Sequence, residues 1–498
     1  MTEPVFGITF ARDDNEARPV VGSDLSVVGI VVTAPNADED FYPLNTPVDI
    51  LSNDSAALLA AGEAGTLADA LRGINDQLGD FQVAARVVVV RVTAGANDAE
   101  TIANLLGSQA NLSGIYALLR AGPDLGVIPR LIGVPGYTHQ RQTGVTAITV
   151  NNPGTGYTSA PAVAFSGGGG GTGAAATAVL GTGTDAGKIV SITITNAGTG
   201  YTAAPTIALT GGGGGGAAAT VTVDGLANAI VAALPGVLSK LIGHAIVEGP
   251  GTNNAAILSW RETILDERTI PIDMWVRVQE GTSVVTRPGV PRELGIAVRR
   301  DFEKRGVPGH SWANQGVAGI VGFARSVEFS LTDGATTGQL LLAGNVGIGV
   351  RGELGVESAI SSSGFVSIAT DNAGDDPLWQ FYNVTRMRDY LHLGLLKTWR
   401  TYLGKFNITV QTVEAVMNTA KLWLRDLEAD GHLLKGSKVG FEASKNSPEN
   451  LRLGKIRIYF AAEEPPVLRR IDADSRRNRP ALEILIADLA TASDQIAA

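Results

Sequence analysis

Two rhythms of apolar and polar residues run along this chain, and the points where they change mark its organisation. Leu25–Thr33 and Ala84–Val92 are short continuous apolar runs, the second with four consecutive valines between Arg86 and Arg91. Runs of that length with polar or charged ends predict strands buried on both faces. Between them, Asp54 is placed to cap a short helix through Ala61. Thr66 is placed to cap a second, in which Leu67, Ala70, Leu71, Ile74 and Leu78 share one face. Leu112–Arg120 fits a helix or an extended segment and is ended by Gly122-Pro123. Strands alternating with helices predict an α/β layer.

Leu131–Val134 is a further buried strand, stopped by Pro135-Gly136. Such a strand should feed a helix, yet the helical spacing resumes only beyond Asp224, with Leu226, Ile230, Leu234, Val237, Leu238 and Leu241 on one face. The stretch between holds two copies of one pattern, offset by 44 residues from Ala147 to Ser191. Each copy alternates apolar and polar residues, passes a Gly-Thr-Gly-Tyr turn at Tyr157 or Tyr201, reaches a proline (Pro161 or Pro205) and ends in a glycine run. Residues 145–224 therefore read as a small tandem β module set into an α/β host, displayed on the outside because insertions succeed at exposed loops.

Downstream, His244–Val247 predicts a strand, Ile257–Leu265 a helix and Ile270–Val278 another strand. Two long amphipathic helices follow, over Phe381–Leu403 and Thr412–Ala429, then strands over Lys455–Ala461 and, by its alternation, Ala481–Leu489. At the other end Val5-Phe-Gly-Ile-Thr-Phe10 is an apolar patch too short to fold alone, which reads as a frayed end or as an arm that adds a strand to a neighbour.

Composition narrows the chemistry. With 498 residues, length alone suggests roughly three domains of ~150 residues. A net charge of −10 argues against a nucleic-acid surface, and the absence of cysteine excludes disulfides, thiolate catalysis and Cys-ligated metals. No secretory signal and no membrane-spanning run are expected. Gly347-Ile-Gly-Val-Arg-Gly352, with Asp371 downstream, matches a dinucleotide fingerprint in spacing but is followed by a serine-rich stretch that makes a poor helix. The glycine runs lack the Lys-Ser/Thr end of a phosphate loop, Gly309-His-Ser-Trp-Ala313 lacks the closing glycine of a nucleophile elbow, and the five histidines show no paired ligand spacing. No catalytic, cofactor-binding or metal-binding residue is assigned. One charge pattern stands out: Arg386, Arg388, Lys397, Arg400 and Lys405 against Asp389, either a solvated face or a docking face for an acidic protein.

In order along the chain, several segments resemble the sheath proteins of contractile phage tails and related contractile injection systems. They are Thr66–Leu71 leading to Val87–Val92, Leu125–Gly136, Ala245–Pro250, Arg305-Gly306 with Trp312-Ala-Asn314, and Arg386–Asp389 through Leu427–Gly431 to Glu464-Pro-Pro466. The Trp-Gly pair usual before the C-terminal domain of that family is absent near Arg351-Gly352. The resemblance implies a multidomain α/β (mixed α+β) sheath fold. It has an N-terminal arm (1–20), a discontinuous core (21–144 and 225–365), the inserted module (145–224), a C-terminal domain facing the tail tube (366–480) and a C-terminal arm (481–498). It implies a structural subunit, not an enzyme, that polymerises helically around the tail tube and contracts to drive the tube through a host envelope for genome ejection. Val5, Phe6, Ile8, Phe10, Leu482, Ile484 and Ile486 become inter-subunit arm strands; Arg386, Arg388, Lys397, Arg400 and Lys405 become the tube-facing surface. The implied partners are further copies of the chain, a tail tube protein, and baseplate and tail terminator proteins, without cofactor, nucleic acid or membrane insertion. The implied location is the virion tail, assembled in the host cytoplasm; a headless injection particle is the alternative. A Rossmann-like enzyme and a glycan-binding protein built on the 145–224 repeats are the readings from other classes.

Overall fold

A computed structural model describes residues 22–79, 83–351 and 364–497. The first part of the chain runs β1 (Val28–Thr33), β2 (Pro47–Leu51), α1 (Ser55–Ala60), α2 (Leu67–Asp76), β3 (Arg86–Val92), α3 (Asp98–Leu106), a 3-10 turn (Gly114–Arg120), α4 (Ala121–Leu125) and β4 (Leu131–Gly133). Six strands follow: β5 (Thr143–Thr155), β6 (Ala162–Ser166), β7 (Thr172–Leu180), β8 (Ile189–Thr199), β9 (Thr206–Thr210) and β10 (Gly215–Gly225). The α/β pattern then resumes with α5 (Ala229–Leu241), β11 (His244–Glu248), α6 (Asn254–Arg261), β12 (Thr269–Asp273), β13 (Trp275–Glu280), β14 (Ser283–Pro288) and α7 (Val290–Glu303). Next come β15 (Gln315–Gly316), β16 (Gly322–Phe323), α8 (Thr337–Ala343), β17 (Gly347–Val350) and β18 (Val366–Ile368). The last elements are α9 (Tyr382–Trp399), α10 (Val410–Ala429), β19 (Lys438–Phe441), α11 (Pro448–Arg452), β20 (Ile458–Ala461) and α12 (Arg479–Ala497).

Nine strands form one sheet in the order β15-β18-β17-β12-β11-β4-β1-β3-β2. The six inner strands, from β17 to β3, are parallel, and antiparallel strands close both edges. The valine run explains the middle of this sheet. Val87 and Val89 face one core with α2 and α7, while Val88 and Val90 face the other with α3 and α5. Both faces are dry, so each of these side chains contributes about 1.5–3 kcal/mol by leaving water. Asp54 caps α1 through the amides of Ala56 and Ala57. Thr66 does not cap α2; its hydroxyl accepts from the Thr33 amide at the end of β1 (3.2 Å). Ile270–Val278, predicted as one strand, is two: β12 stays in the main sheet, and after Met274 β13 leaves to pair with β14 and β16.

The six strands β5–β10 lie between β4 and its crossover helix α5. β10 returns beside β5 in antiparallel register, pairing Gly225 with Thr143, so the two ends of the module are neighbours. Asn228 fixes that point. It is buried, its carbonyl caps α5 through the amides of Ile230 and Val231, and its amide donates to the carbonyls of Tyr137 and Gln140. Within the module every ladder joins one strand of each repeat: β5 with β10, β6 with β9, β7 with β8. Neither repeat holds a sheet of its own, which makes the pair an intertwined unit rather than two beads. Tyr157 and Tyr201 of the two turns point inward, at 6% and 3% exposure. They fill the spaces beside Gly214 and Gly171, where a Cβ would lie 2.6 and 2.3 Å from the rings.

This topology separates two deletions. Replacing residues 144–224 by an Asn-Gly turn is expected to leave the thermal midpoint within about 3 °C, because the flanking strands already meet there. Removing the second repeat alone, residues 189–224, strips β5, β6 and β7 of partners and is expected to give aggregated protein in the same scanning fluorimetry and light-scattering assay.

Candidate interaction surfaces of the C-terminal region

α9 has two ends with opposite character. Its first half is built into the host. Arg386 is fully buried and forms a two-pronged ion pair with Asp301 of α7 (2.6 and 3.1 Å), both side chains being 1% exposed. Its guanidinium lies 5.1 Å from the Trp312 ring centre, and Trp312 stacks on Tyr382 at 3.8 Å. Trp312 donates its indole N–H to Glu293 (2.7 Å), whose carboxyl is pushed up by burial, against the Ser367 and Trp312 hydrogen bonds that lower it. Arg388 pairs with Glu464 (2.7 Å), donates to the Ala462 carbonyl and lies over the rings of Trp379 and Phe460. Asp389 accepts both guanidinium prongs of Arg268, while Thr385 meets the Nε2 of buried His244 (3.1 Å). Of the residues expected on a tube-facing surface, Arg386 is thus internal and Arg388 is half-buried against Glu464. Of the five cations between 386 and 405, two are spent on buried carboxylates, because a charge removed from water must be paired.

The second half of α9 is open. Lys397 and Arg400 are exposed there, and Lys405 follows in the connection to α10. Among them stand Leu396, Leu403 and Phe406, at 57%, 75% and 50% exposure. Cations interleaved with large apolar groups form a surface suited to an acidic protein partner with an apolar centre. Nearby on α10, Asn418, Lys421, Leu422 and Arg425 line one side of a groove of about 510 Å³ that Glu428 and Ser437 complete.

Two further features concern β pairing. β19 and β20 form a sheet of only two strands, with Val439 and Phe460 packed on the C-terminal core and Phe441 and Tyr459 exposed. Two strands are marginal alone, and both outer edges of this pair lack a strand partner among the described residues. The second feature is the C-terminal segment. Residues from Pro466 onward form a compact unit separate from the rest. Leu482, Ile484 and Ile486, expected in a strand, lie in α12. Ala481, Leu482, Glu483 and Ala487 favour helix, and Leu482, Leu485, Ile486 and Leu489 recur at helical spacing alongside the alternating set. Val5, Phe6, Ile8 and Phe10 lie outside the described residues.

The motifs weighed for chemistry have structural roles. Gly347 and Gly349 are inside the buried strand β17, not in a phosphate loop; a Cβ on them would meet Ala369 at 2.5 Å and Phe323 at 2.4 Å. At the carboxyl ends of the parallel strands, where such sheets bind nucleotides, polar groups of two strand ends pair with each other. Glu248 at the end of β11 accepts the Gly136 amide, and Thr138 exchanges hydrogen bonds with the Glu248 backbone. Burial raises Glu248 to about 8, against the amides of Gly136 and Val290. Ser311 bonds to the Tyr382 hydroxyl (3.0 Å), and its neighbour His310 bonds to His432 (2.8 Å). No group of metal-ligating side chains and no membrane-spanning helix occurs among the described residues.

No protein-family model matches the chain. It is 22% identical over 479 residues to the tail sheath protein of Escherichia phage P2, covering 93% of each. It is 36% identical over 150 residues to the major tail sheath protein of Serratia phage KSP20, covering 29% of this chain and 37% of that one. Among solved structures it aligns with the sheath of an extracellular contractile injection system in its contracted state (TM-score 0.57, 11% identity, 97% of this chain and 100% of that one). It also aligns with the contracted helical sheath of the anti-feeding prophage (TM-score 0.55, 14% identity, 96% and 100%). The fold is that of contractile sheaths. In sequence the chain resembles phage tail sheath proteins across nearly its whole length.

The joint between α9 and the host gives two measurable outcomes. Arg386→Leu leaves Asp301 buried without its partner and is expected to cost about 3–5 kcal/mol in denaturant unfolding. The histidine contact supplies a pH dependence. His310 is lowered to about 4 by burial, then by His432, Lys304 and Arg300; His432 is lowered by burial and by Lys304 and Arg305, with Asp430 opposing. The unfolded imidazole takes its proton near 6.5, so this stabilisation is present above 6.5 and is lost as pH falls toward 4. His432→Asn is expected to flatten the fall in thermal midpoint from about pH 7 to about pH 4.5 relative to the parent protein.

Proposed function

We infer that the protein is the structural subunit of a contractile tail sheath, which polymerises helically around a tail tube and contracts to drive it through a cell envelope. The observation that carries this reading is the end-to-end likeness, in fold and in sequence, to proteins that are themselves sheaths. The chain's physics fits the role. The main body through Pro465 is one compact unit with charged groups buried at its internal joint, suited to moving as a block. Its open β edges and separate C-terminal unit suit contacts that persist while blocks shift. Each subunit would offer different surfaces to successive neighbours, a heterologous contact that does not close on itself and so builds a helix of rings. Contraction is then a change between two packings of one subunit, without a nucleotide.

In this reading Lys397, Arg400 and Lys405, with Leu396, Leu403 and Phe406, dock on the tail tube. The terminal segments around Val5–Phe10 and Leu482–Ile486 add strands to neighbouring copies, with β19–β20 as the accepting sheet. Baseplate and tail terminator proteins bound the polymer at its ends, and the assembled machine sits on a virion. The 145–224 module lies on the outside, clear of the tube.

Negative-stain microscopy of the purified protein is expected to show hollow helical tubes, and dispersed monomers at every concentration would overturn the assignment. Changing Lys397, Arg400 and Lys405 together to Glu is expected to leave stability unchanged within about 0.5 kcal/mol, since all three are exposed. The same change is expected to abolish co-sedimentation with the tail tube at low salt; retained binding would remove this face from the tube contact.

A further inference from the structure

We propose that the two ends of α9 carry complementary halves of one contact between copies. When no tail tube lies against it, the basic, apolar far end of the helix in one copy docks on an acidic groove beside the start of α9 in the next. The proposal rests on the sheath reading and names what covers this face in a polymer that holds no tail tube.

Two loops build the groove. The chain leaving α6 contributes Glu262, Asp266 and Glu267, and the loop before α9 contributes Asp375 and Asp376. Leu265, Asp266, Glu267, Asp375, Asp376 and Trp379 line an open groove of about 310 Å³. Residues 262–267 hold three carboxylates and residues 374–379 two, with no cation in either stretch, giving −5. The flanking cations are engaged elsewhere. Arg261 donates to the Ile264 carbonyl (2.6 Å), Arg268 to Asp389, and Arg388, which lies over the Trp379 ring, to Glu464. Among the carboxylates stand two leucines, Leu265 at 76% and Leu378 at 82% exposure. Large apolar groups held in water and rimmed by charge mark a protein contact.

The far end of α9 has the opposite sign and the same mixed character. Residues 396–410 carry Lys397, Arg400 and Lys405 and no acid, giving +3; the next acid in sequence is Glu414, inside α10. Leu396, Leu403, Phe406, Ile408 and Val410 are all exposed along the same stretch. Opposite charges at the rims fix the register of such a contact, and the leucines at its centre supply the burial.

The two surfaces cannot meet within one copy. Between them stands α9, whose 18 residues span about 27 Å. Its first half is locked to α7 by the buried Arg386–Asp301 pair, so it does not fold back. The partner of each surface therefore belongs to another copy. Groove to helix end is a heterologous contact: each pair leaves one groove and one helix end uncovered, so the series continues from copy to copy. The face proposed for the tail tube thus has two successive occupants of one chemistry. When the acidic groove of a neighbour takes the place of the tube, neither the cations nor the leucines are returned to water.

The chain has no cysteine, so single Leu378→Cys and Leu403→Cys variants can be cross-linked without background. Polymers are grown without tail tube from an equal mixture of the two and treated with a short bis-maleimide. The mixture is expected to give a cross-linked dimer, and polymers of either variant alone are expected to give none. No dimer from the mixture, or as much from one variant alone, overturns the contact, while hollow polymers on the same microscope grids keep the sheath reading. If the parent protein forms no polymer, the sheath reading fails and this contact with it. Exchange of charge supplies a second measurement. Asp375→Lys with Asp376→Lys, or Lys397→Asp with Arg400→Asp, sets like charges face to face. Each pair is expected to raise the protein concentration needed for tube-free polymerisation at low salt by at least about tenfold. A chain carrying all four changes has both signs reversed and is expected to return to within about twofold of the parent. If that chain polymerises no better than either pair alone, the proposal is refuted.

Discussion

The Arg386–Asp301 pair is the constraint on which the C-terminal half of the molecule depends. Both charges are out of water, so each fixes the other, and together they fix α9 against α7. Trp312 lies against the guanidinium and is itself held by Tyr382 and Glu293, so the joint is a set of buried polar groups inside apolar walls. Such a set tolerates little sliding, because any displacement leaves a buried charge uncompensated. The pairs Arg388–Glu464 and Arg268–Asp389 extend the same logic along the helix.

A body joined in this way has its adaptable parts outside the joint. The exposed cations and leucines at the far end of α9 and the narrow β19–β20 sheet lie away from it. This division suits a subunit in which free energy changes at contacts between copies while the interior stays the same. At the carboxyl end of the parallel sheet the chain bonds to itself: Glu248 accepts the Gly136 amide, and its own amide donates to the Thr138 hydroxyl.

What could be read from the sequence followed from how local each signal was. The valine strand, the cap at Asp54 and the two long helices are set by neighbouring residues, and they appear where the spacing places them. Arg386 and Arg388 were misleading because their partners, Asp301 and Glu464, lie 85 and 76 residues away, and no local pattern distinguishes a cation facing solvent from one facing a distant carboxylate. The split of Ile270–Val278 into two strands was hidden for a similar reason: nothing but the second sheet pulls β13 aside. At Leu482–Ile486 the sequence satisfies both periods, so local reading alone does not choose between them.

The intertwined repeats leave one more mark on the molecule. Because Thr143 and Gly225 face each other across a ladder, the host is interrupted at a single spot. Asn228 seals that spot with hydrogen bonds to the host backbone alone. The position therefore works as a socket. Any folded passenger whose two ends lie side by side can be seated in it, so cargo or labels can be carried in many copies along the polymer without redesign of the subunit beneath.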